Sequence, residues 1–297
     1  MAIDVAPRLY KRMATMTLSI GLLGPMVIES SDHRVGPMPK KARALLGFLA
    51  AQRGQTVSRE RLADLLWPSQ KSKEALHSLR NCLLELRRAF GSSGAGYIPT
   101  HPANCRIAHT VVDLDRFEQL SRSQHPSALR AAADLYRGSF LADVEVASEP
   151  FHEWLTAERE RTLAVVCDVL HKLTTQQDAA DNHDAAIRAG RQLVALDPLF
   201  ELGQRALICA YASAGRRSEA LRQYKSCAEI LERELGVVPD RATQRLANAI
   251  LDASRAEKER GDRLIARIDR FSHVPRPNQT DNLIRPSRDQ TRSDHFR

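Results

Sequence analysis

The stretch VSRERLADLLWPSQKSKEALHSLRNCLLELRRAF, residues 57–90, decides the fold. Ser58 carries a side-chain oxygen suited to capping a helix start, and Glu60 follows where a negative charge suits the helix dipole. Leu62, Leu65 and Leu66 give this short helix an apolar face. Trp67-Pro68 ends it, because proline lacks the amide a continuing helix needs. Ser72 is read as the cap of a longer helix, Lys73 to Phe90, along which Leu76, Leu79, Leu83, Leu86 and Phe90 recur at the spacing of one buried stripe. The other side carries His77, Arg80, Asn81, Leu84, Arg87 and Arg88, with Arg80, Leu84 and Arg88 stacked and His77 and Asn81 in the adjoining row. Two helices joined by a tight turn, the second presenting Arg, Asn and His, is the arrangement that delivers side chains to the DNA major groove. Arg pairs with guanine and Asn with adenine through two hydrogen bonds, and Leu84 suits a thymine methyl. An Arg-rich helix face alone is ordinary solvated surface; its position after a helix and turn is what points to DNA.

Working outward, the first helix is expected over Pro39 to Gln52, with Leu45, Leu46, Phe48 and Leu49 inward. Lys40, Lys41 and Arg43 crowd its first turn, where cations oppose the helix dipole, so they are expected to meet DNA phosphates together with Lys73 and Arg106. Before it, Thr17 to Glu29 reads as strands broken at Gly24-Pro25, Ser30 to His33 as a turn, and Arg34 to Met38 as a returning strand. After the long helix, the glycines of 91–96 read as a flexible turn, not a phosphate loop, since they do not lead from a strand into a helix. Tyr97 to Thr100 and Arg106 to Val112 read as a hairpin around residues 101–104. A small antiparallel sheet, three helices and a hairpin make a winged helix-turn-helix.

Beyond Val112 the periodicity is helical throughout. Asp113 or Asp115 is expected to cap a short helix, with longer ones over 127–138 and 150–176. Asp184-Ala-Ala-Ile187 returns as Ser218-Glu-Ala-Leu221 after 34 residues, the tetratricopeptide period, with Ala186 and Ala220 as the small residues where paired helices meet. Gly236 to Asp240 breaks into a last helix ending near Asp252. The expected organisation is therefore a leader over 1–16, a winged helix over 17–112, an all-α tetratricopeptide-like domain over 113–252, and a basic tail over 253–297. The fold class is mainly α, with α+β character confined to the winged helix.

Charge follows the same division. Residues 1–110 hold 16 basic and 7 acidic side chains, whereas 111–252 hold 17 and 22, so the excess lies where DNA is expected. The five cysteines, at 82, 105, 167, 209 and 227, show no paired spacing, which fits a reducing cytoplasm and excludes a disulfide framework. His101, Cys105 and His109 lack a fourth ligand and are not read as a metal site. Arg8, Lys11 and Arg12 precede an uncharged run that mimics a secretion signal. The run contains Gly21, Gly24 and Pro25 and alternates at Leu18, Ile20 and Leu22, so it reads as a strand. No stretch reaches the roughly 18–20 apolar residues of a membrane span. No nucleophile–base grouping or nucleotide loop is present, so neither an enzyme nor a cofactor is expected.

Several blocks resemble the Streptomyces antibiotic regulatory protein family, which joins an OmpR-type winged helix to a helical bacterial transcriptional activator domain. They include LLGPMVIE (22–29), KKARALLGFLA (40–50), VSRERLADLLWPS (57–69), SLRNCLLELRRAFG (78–91) and VVDLDRFEQL (111–120), then AADLYRGSFLADVE, FHEWLTAERER, HDAAIRAGRQLVALDP and ALRQYKSCAEILERELGVVPD. The resemblance spans roughly residues 17–252. It implies a promoter-binding regulator, an activator in this family, in the cytoplasm at the nucleoid. It implies that the third helix reads the major groove, the wing meets the minor groove or backbone, and the helical domain contacts RNA polymerase or a second protomer. Asn104-Cys105 stands where the family's wing has a Gly-Tyr pair, which singles out the wing turn as the point of departure. The competing expectation is an adaptor in which the repeat domain binds proteins and the winged helix is a docking module; preference for particular DNA fragments separates the two.

Overall fold

The computed structural model describes residues 17–30, 34–99 and 101–253. The expected leader, part of the Ser30–His33 turn and nearly all of the tail lie outside the described residues. The chain begins with an antiparallel hairpin, β1 (Leu18–Gly21) and β2 (Val27–Ser30), in which Ile20 faces Ile28. Leu18 and Ile20 are buried and Ser19 is exposed, the alternation of a strand with one wet face. Helices α1 (Lys40–Ala51), α2 (Arg59–Leu66) and α3 (Ser72–Ala89) follow.

Three local expectations are corrected. Residues 34–39 form no strand; the Gly36 amide instead donates to the Ala89 carbonyl, which anchors the segment to the end of α3. Residues 91–97 are ordered helical turns, a 3₁₀ turn (Gly91–Ser93) and a short helix α4 (Gly94–Tyr97), because Tyr97 is drawn fully inward against Phe90 at 5.5 Å. The expected wing hairpin therefore lacks its first strand among the described residues 97–99, and its two arms meet through the Ala108 amide and Tyr97 carbonyl. The strands pair elsewhere: β4 (Asn104–Cys105) runs antiparallel to β3 (Val57–Ser58), and β5 (Thr110–Val112) joins β1 in parallel, giving the order β2-β1-β5.

The helical half comprises α5 (Asp113–Ser121), α6 (Pro126–Leu135), α7 (Glu149–Ala179), α8 (His183–Leu196), α9 (Glu201–Ser213), α10 (Arg217–Leu235) and α11 over 241–253. Asp113 does not cap α5. Its carboxylate accepts the Leu22 and Leu23 amides at 2.7 and 3.2 Å and pairs with Arg137, so it ties the end of β1 to the helical half. The 34-residue recurrence falls on helices whose starts, His183 and Arg217, are 34 residues apart, and Ala186 and Ala220 are both fully buried. Gly236, with φ 67°, closes α10 in the left-handed conformation that ends helices.

No linker separates the two halves. At 31 residues α7 is roughly 46 Å long. It packs on α2 of the first half and on α6, α8 and α9 of the second. One apolar core runs from Leu18 through Leu83, Phe117 and Phe151 to Leu193, and a smaller core holds Ile187, Leu207, Tyr211 and Ile250. Trp154 of α7 stands edge-on to Phe48 of α1 at 4.8 Å and beside Phe140 and Phe151. Among the described residues no helix is long and apolar enough to cross a membrane.

Candidate nucleic-acid interface

The pedestal for α3 is built from α2 outward. The Ser58 side chain accepts the Arg61 amide at 3.2 Å and caps α2. Trp67 leaves the helical conformation, and the turn closes with the Gln70 amide donating to the Trp67 carbonyl. Ser78 donates to the Gln70 side chain at 2.9 Å, which fixes the turn against the second turn of α3. Ser72 is the first residue of α3 and gives no side-chain cap; Lys71 holds that place. The buried face comprises Ala75, Leu79, Cys82, Leu83, Leu86 and Ala89, continued by Phe90, with Leu76 half-buried.

On the outer face His77, Arg80, Asn81, Leu84 and Arg88 are exposed, as the periodicity predicts. Leu84 is 43% exposed, a large apolar side chain in a polar row. Asn81 Nδ2 lies 3.2 Å from His77 Nε2 and Arg88 pairs with Glu85 at 2.8 Å, so these side chains are aligned by neighbours one turn away. Arg80 has no hydrogen-bond or ion-pair partner among the described residues. Arg87 differs: it is half-buried and its Nε donates to the Ile98 carbonyl at 3.0 Å, bracing the segment that leads into the wing.

The three cations at the start of α1 separate. Arg43 pairs with Asp143 at 2.6 Å. Lys41 donates to the Leu66 carbonyl at 2.8 Å and lies over the Trp67 ring, and burial pushes its amine below the usual lysine range. Lys40 is exposed and unpaired among the described residues. Lys73 and Arg106 are exposed.

The unusual wing pair is accommodated. Cys105 turns its side chain into the core and Asn104 pairs with Ser58. His101 accepts the Ala103 and Asn104 amides at 3.3 and 3.0 Å through Nδ1, closing the loop without glycine. The β3–β4 ladder brings the wing beside the start of α2, where the Arg59 amide donates to Ala103 and Arg61 is exposed. Arg61 was not among the expected contacts; its place beside Ser58 in the first turn of a capped helix was the available signal. All five cysteines are free, four of them buried, and burial pushes the Cys82 thiol up to about 12. Among the described residues no His, Cys, Asp and Glu group could hold a metal.

Residues 34–103 match the family described as transcriptional regulatory protein, C terminal, and residues 112–251 match the bacterial transcriptional activator domain. Regulatory protein DnrI of Streptomyces peucetius is 28% identical over 257 residues, covering 80% of this chain and 93% of DnrI. Regulatory protein AfsR of Streptomyces coelicolor is 27% identical over 263 residues, 82% of this chain but 25% of AfsR. Transcriptional regulatory protein EmbR of Mycobacterium tuberculosis is 27% identical over 258 residues, 79% of this chain and 63% of EmbR. The chain thus spans nearly all of the first relative and a quarter of the second. A solved structure of Mycobacterium tuberculosis EmbR in complex with a low affinity phosphopeptide is similar in fold, with a TM-score of 0.64 at 23% identity, covering 87% of this chain and 73% of that one.

Proposed function

Because the chain belongs to the DNA-binding transcription regulators that join an OmpR-type winged helix to a bacterial transcriptional activator domain, we propose that it activates transcription by reading a promoter with the outer face of α3. Arg80 and Asn81 contact base edges, Leu84 meets a thymine methyl, and His77 and Arg88 flank them. Lys73, Arg61 and Arg106 meet phosphates and set the register of α3 on the duplex. Arg87, occupied by the Ile98 carbonyl, supports the wing instead of reading bases. The helical half contacts RNA polymerase or a second copy of the chain, and the protein works in the cytoplasm at the nucleoid. The observation that carries the reading is the outer face of α3: an arginine unpaired among the described residues, the side-chain amide next to it and an exposed leucine one turn on, opposite a stripe buried from Leu79 to Phe90.

The test is an electrophoretic shift of the full chain on genomic fragments, followed by substitution on the selected operator. Arg80→Ala is expected to weaken operator binding by about 1–3 kcal/mol and relax preference at one base pair. Operator discrimination that survives Arg80→Ala combined with Asn81→Ala overturns the assigned face. Lys73→Ala is expected to weaken all DNA alike and flatten the salt dependence by about one unit of slope.

A further inference from the structure

A cavity of about 650 Å³ opens where α1 faces the segment that leads into α7. Its apolar wall consists of Val144, Phe151 and Leu155, all buried. Its cationic wall consists of Lys40 and Lys41 from α1 and Arg159 from α7, with His152 beside them, and Glu145 is the carboxylate among its lining residues. Arg159 uses Nε and Nη2 to donate to the Phe140 and Leu141 carbonyls, each at 3.0 Å. Among the described residues it has no carboxylate partner, and neither Lys40 nor His152 has a side-chain partner. With histidine neutral the lining holds three cations against one anion, and Lys41 is partly stripped of water. Uncompensated charge of this kind attracts an anion more strongly than it would on open surface.

The neighbouring spaces differ. The smaller cavity beside it, about 250 Å³, is lined by Arg43 and Asp143, which already neutralise each other at 2.6 Å. The space beside the wing, about 240 Å³, is lined by His101, Asn104 and Arg106, and Arg106 is assigned to phosphates in the proposed function.

We propose that the cavity between α1 and α7 is an effector site for a small organic anion, a carboxylate carried on an apolar body. The carboxylate sits among Lys40, Lys41 and Arg159, and the body lies on Val144, Phe151 and Leu155. The volume is in the range of sites that enclose a small organic molecule, with few polar groups set in an apolar wall. A bare inorganic anion would leave that wall unused. Because the walls come from the DNA-reading half and from α7, an occupant bridges both and stabilises their docking. Binding to the folded state alone raises the unfolding midpoint of the whole chain.

The experiment titrates the full chain with 4-phenylbutyrate, its neutral amide, decanoate and inorganic phosphate, using calorimetry and thermal unfolding. Saturable one-to-one binding of at least one carboxylate is expected, with a raised midpoint and at least about tenfold weaker binding of the amide and of phosphate. Lys40→Glu is expected to weaken carboxylate binding about tenfold by reversing one charge of the site. Ala147→Trp fills the exposed rim without entering the core and is expected to abolish it. Arg80→Ala is expected to retain carboxylate binding while losing operator discrimination, so failure of this site and failure of the DNA-reading face are distinguishable. The proposal is overturned if neither carboxylate saturates by about 10 mM, if the amide or phosphate binds as well as the acid, or if binding is unchanged in both Lys40→Glu and Ala147→Trp.

Discussion

Arg87 and Arg80 lie on one helix, seven residues apart, and differ in whether the fold has already used their donors. Arg80 is exposed and unpaired among the described residues, whereas Arg87 spends its Nε on the Ile98 carbonyl. Arg87→Ala is therefore expected to lower stability by about 1–3 kcal/mol, the worth of a charged hydrogen bond to a partly buried carbonyl. It should weaken binding to all operator variants alike; a changed base preference would show that Arg87 reads bases after all. Gly94 is the other residue whose role periodicity does not show. A Cβ there would overlap the Arg87 carbonyl oxygen, so the chain can turn back against α3 only with glycine. Gly94→Ala is expected to cost about 2 kcal/mol or more in denaturant unfolding, because backbone cannot yield as a side chain can.

The helices of the reading unit were legible because they are locally specified. Ser58, the three leucines of α2 and the stripe of α3 each act within one or two turns. Ser58→Ala is expected to cost about 1 kcal/mol in the same unfolding measurement by leaving the Arg61 amide without its cap. The small strands were not legible in the same way. β3 and β4 are two residues each and pair across 46 to 48 positions of sequence, and β5 pairs with a strand 92 residues earlier. A two-residue strand has no period to read, and its partner is chosen by burial of Tyr97, Cys105 and Val112 in the common core.

At the scale of the molecule, the two halves are held as one body by side chains that carry no periodic signal. Trp154 joins the aromatic contacts of Phe48, Phe140 and Phe151, and Trp154→Ala is expected to lower stability by about 3 kcal/mol. It should also shift the unfolding of α1 and α7 together, which amide hydrogen exchange would detect. Unfolding of one without the other would contradict a continuous core. Charged ties act at the same junction. Glu118 pairs with Arg53 from the end of α1 and with Arg161 of α7, and its carboxyl is only 12% exposed. Burial pushes that carboxyl up, but hydrogen bonds from Arg161 and Arg53 prevail and hold it below its ordinary value of 4.5. A depressed folded-state value adds stability above the unfolded value and loses it as pH falls through the folded one. Stability is thus expected to drop below about pH 4.5, and Glu118→Gln to flatten that part of the profile. An unchanged profile would remove Glu118 from the acid-sensitive junction.

The sequence by itself determined the three helices of the reading unit, the buried stripe and outer row of α3 and the 34-residue recurrence, because each depends on spacings within a few turns or on internal repetition. Only the tertiary structure decided which cations are engaged by distant parts of the fold. Arg43, Lys41 and Arg87 look alike in sequence to Lys40, Arg80 and Arg88, but partners 11 to 100 residues away engage the first three. It also decided that the strands pair outside the expected hairpin and that the two domains share one core. Burial and long-range pairing set both, and neither depends on the local period of the chain.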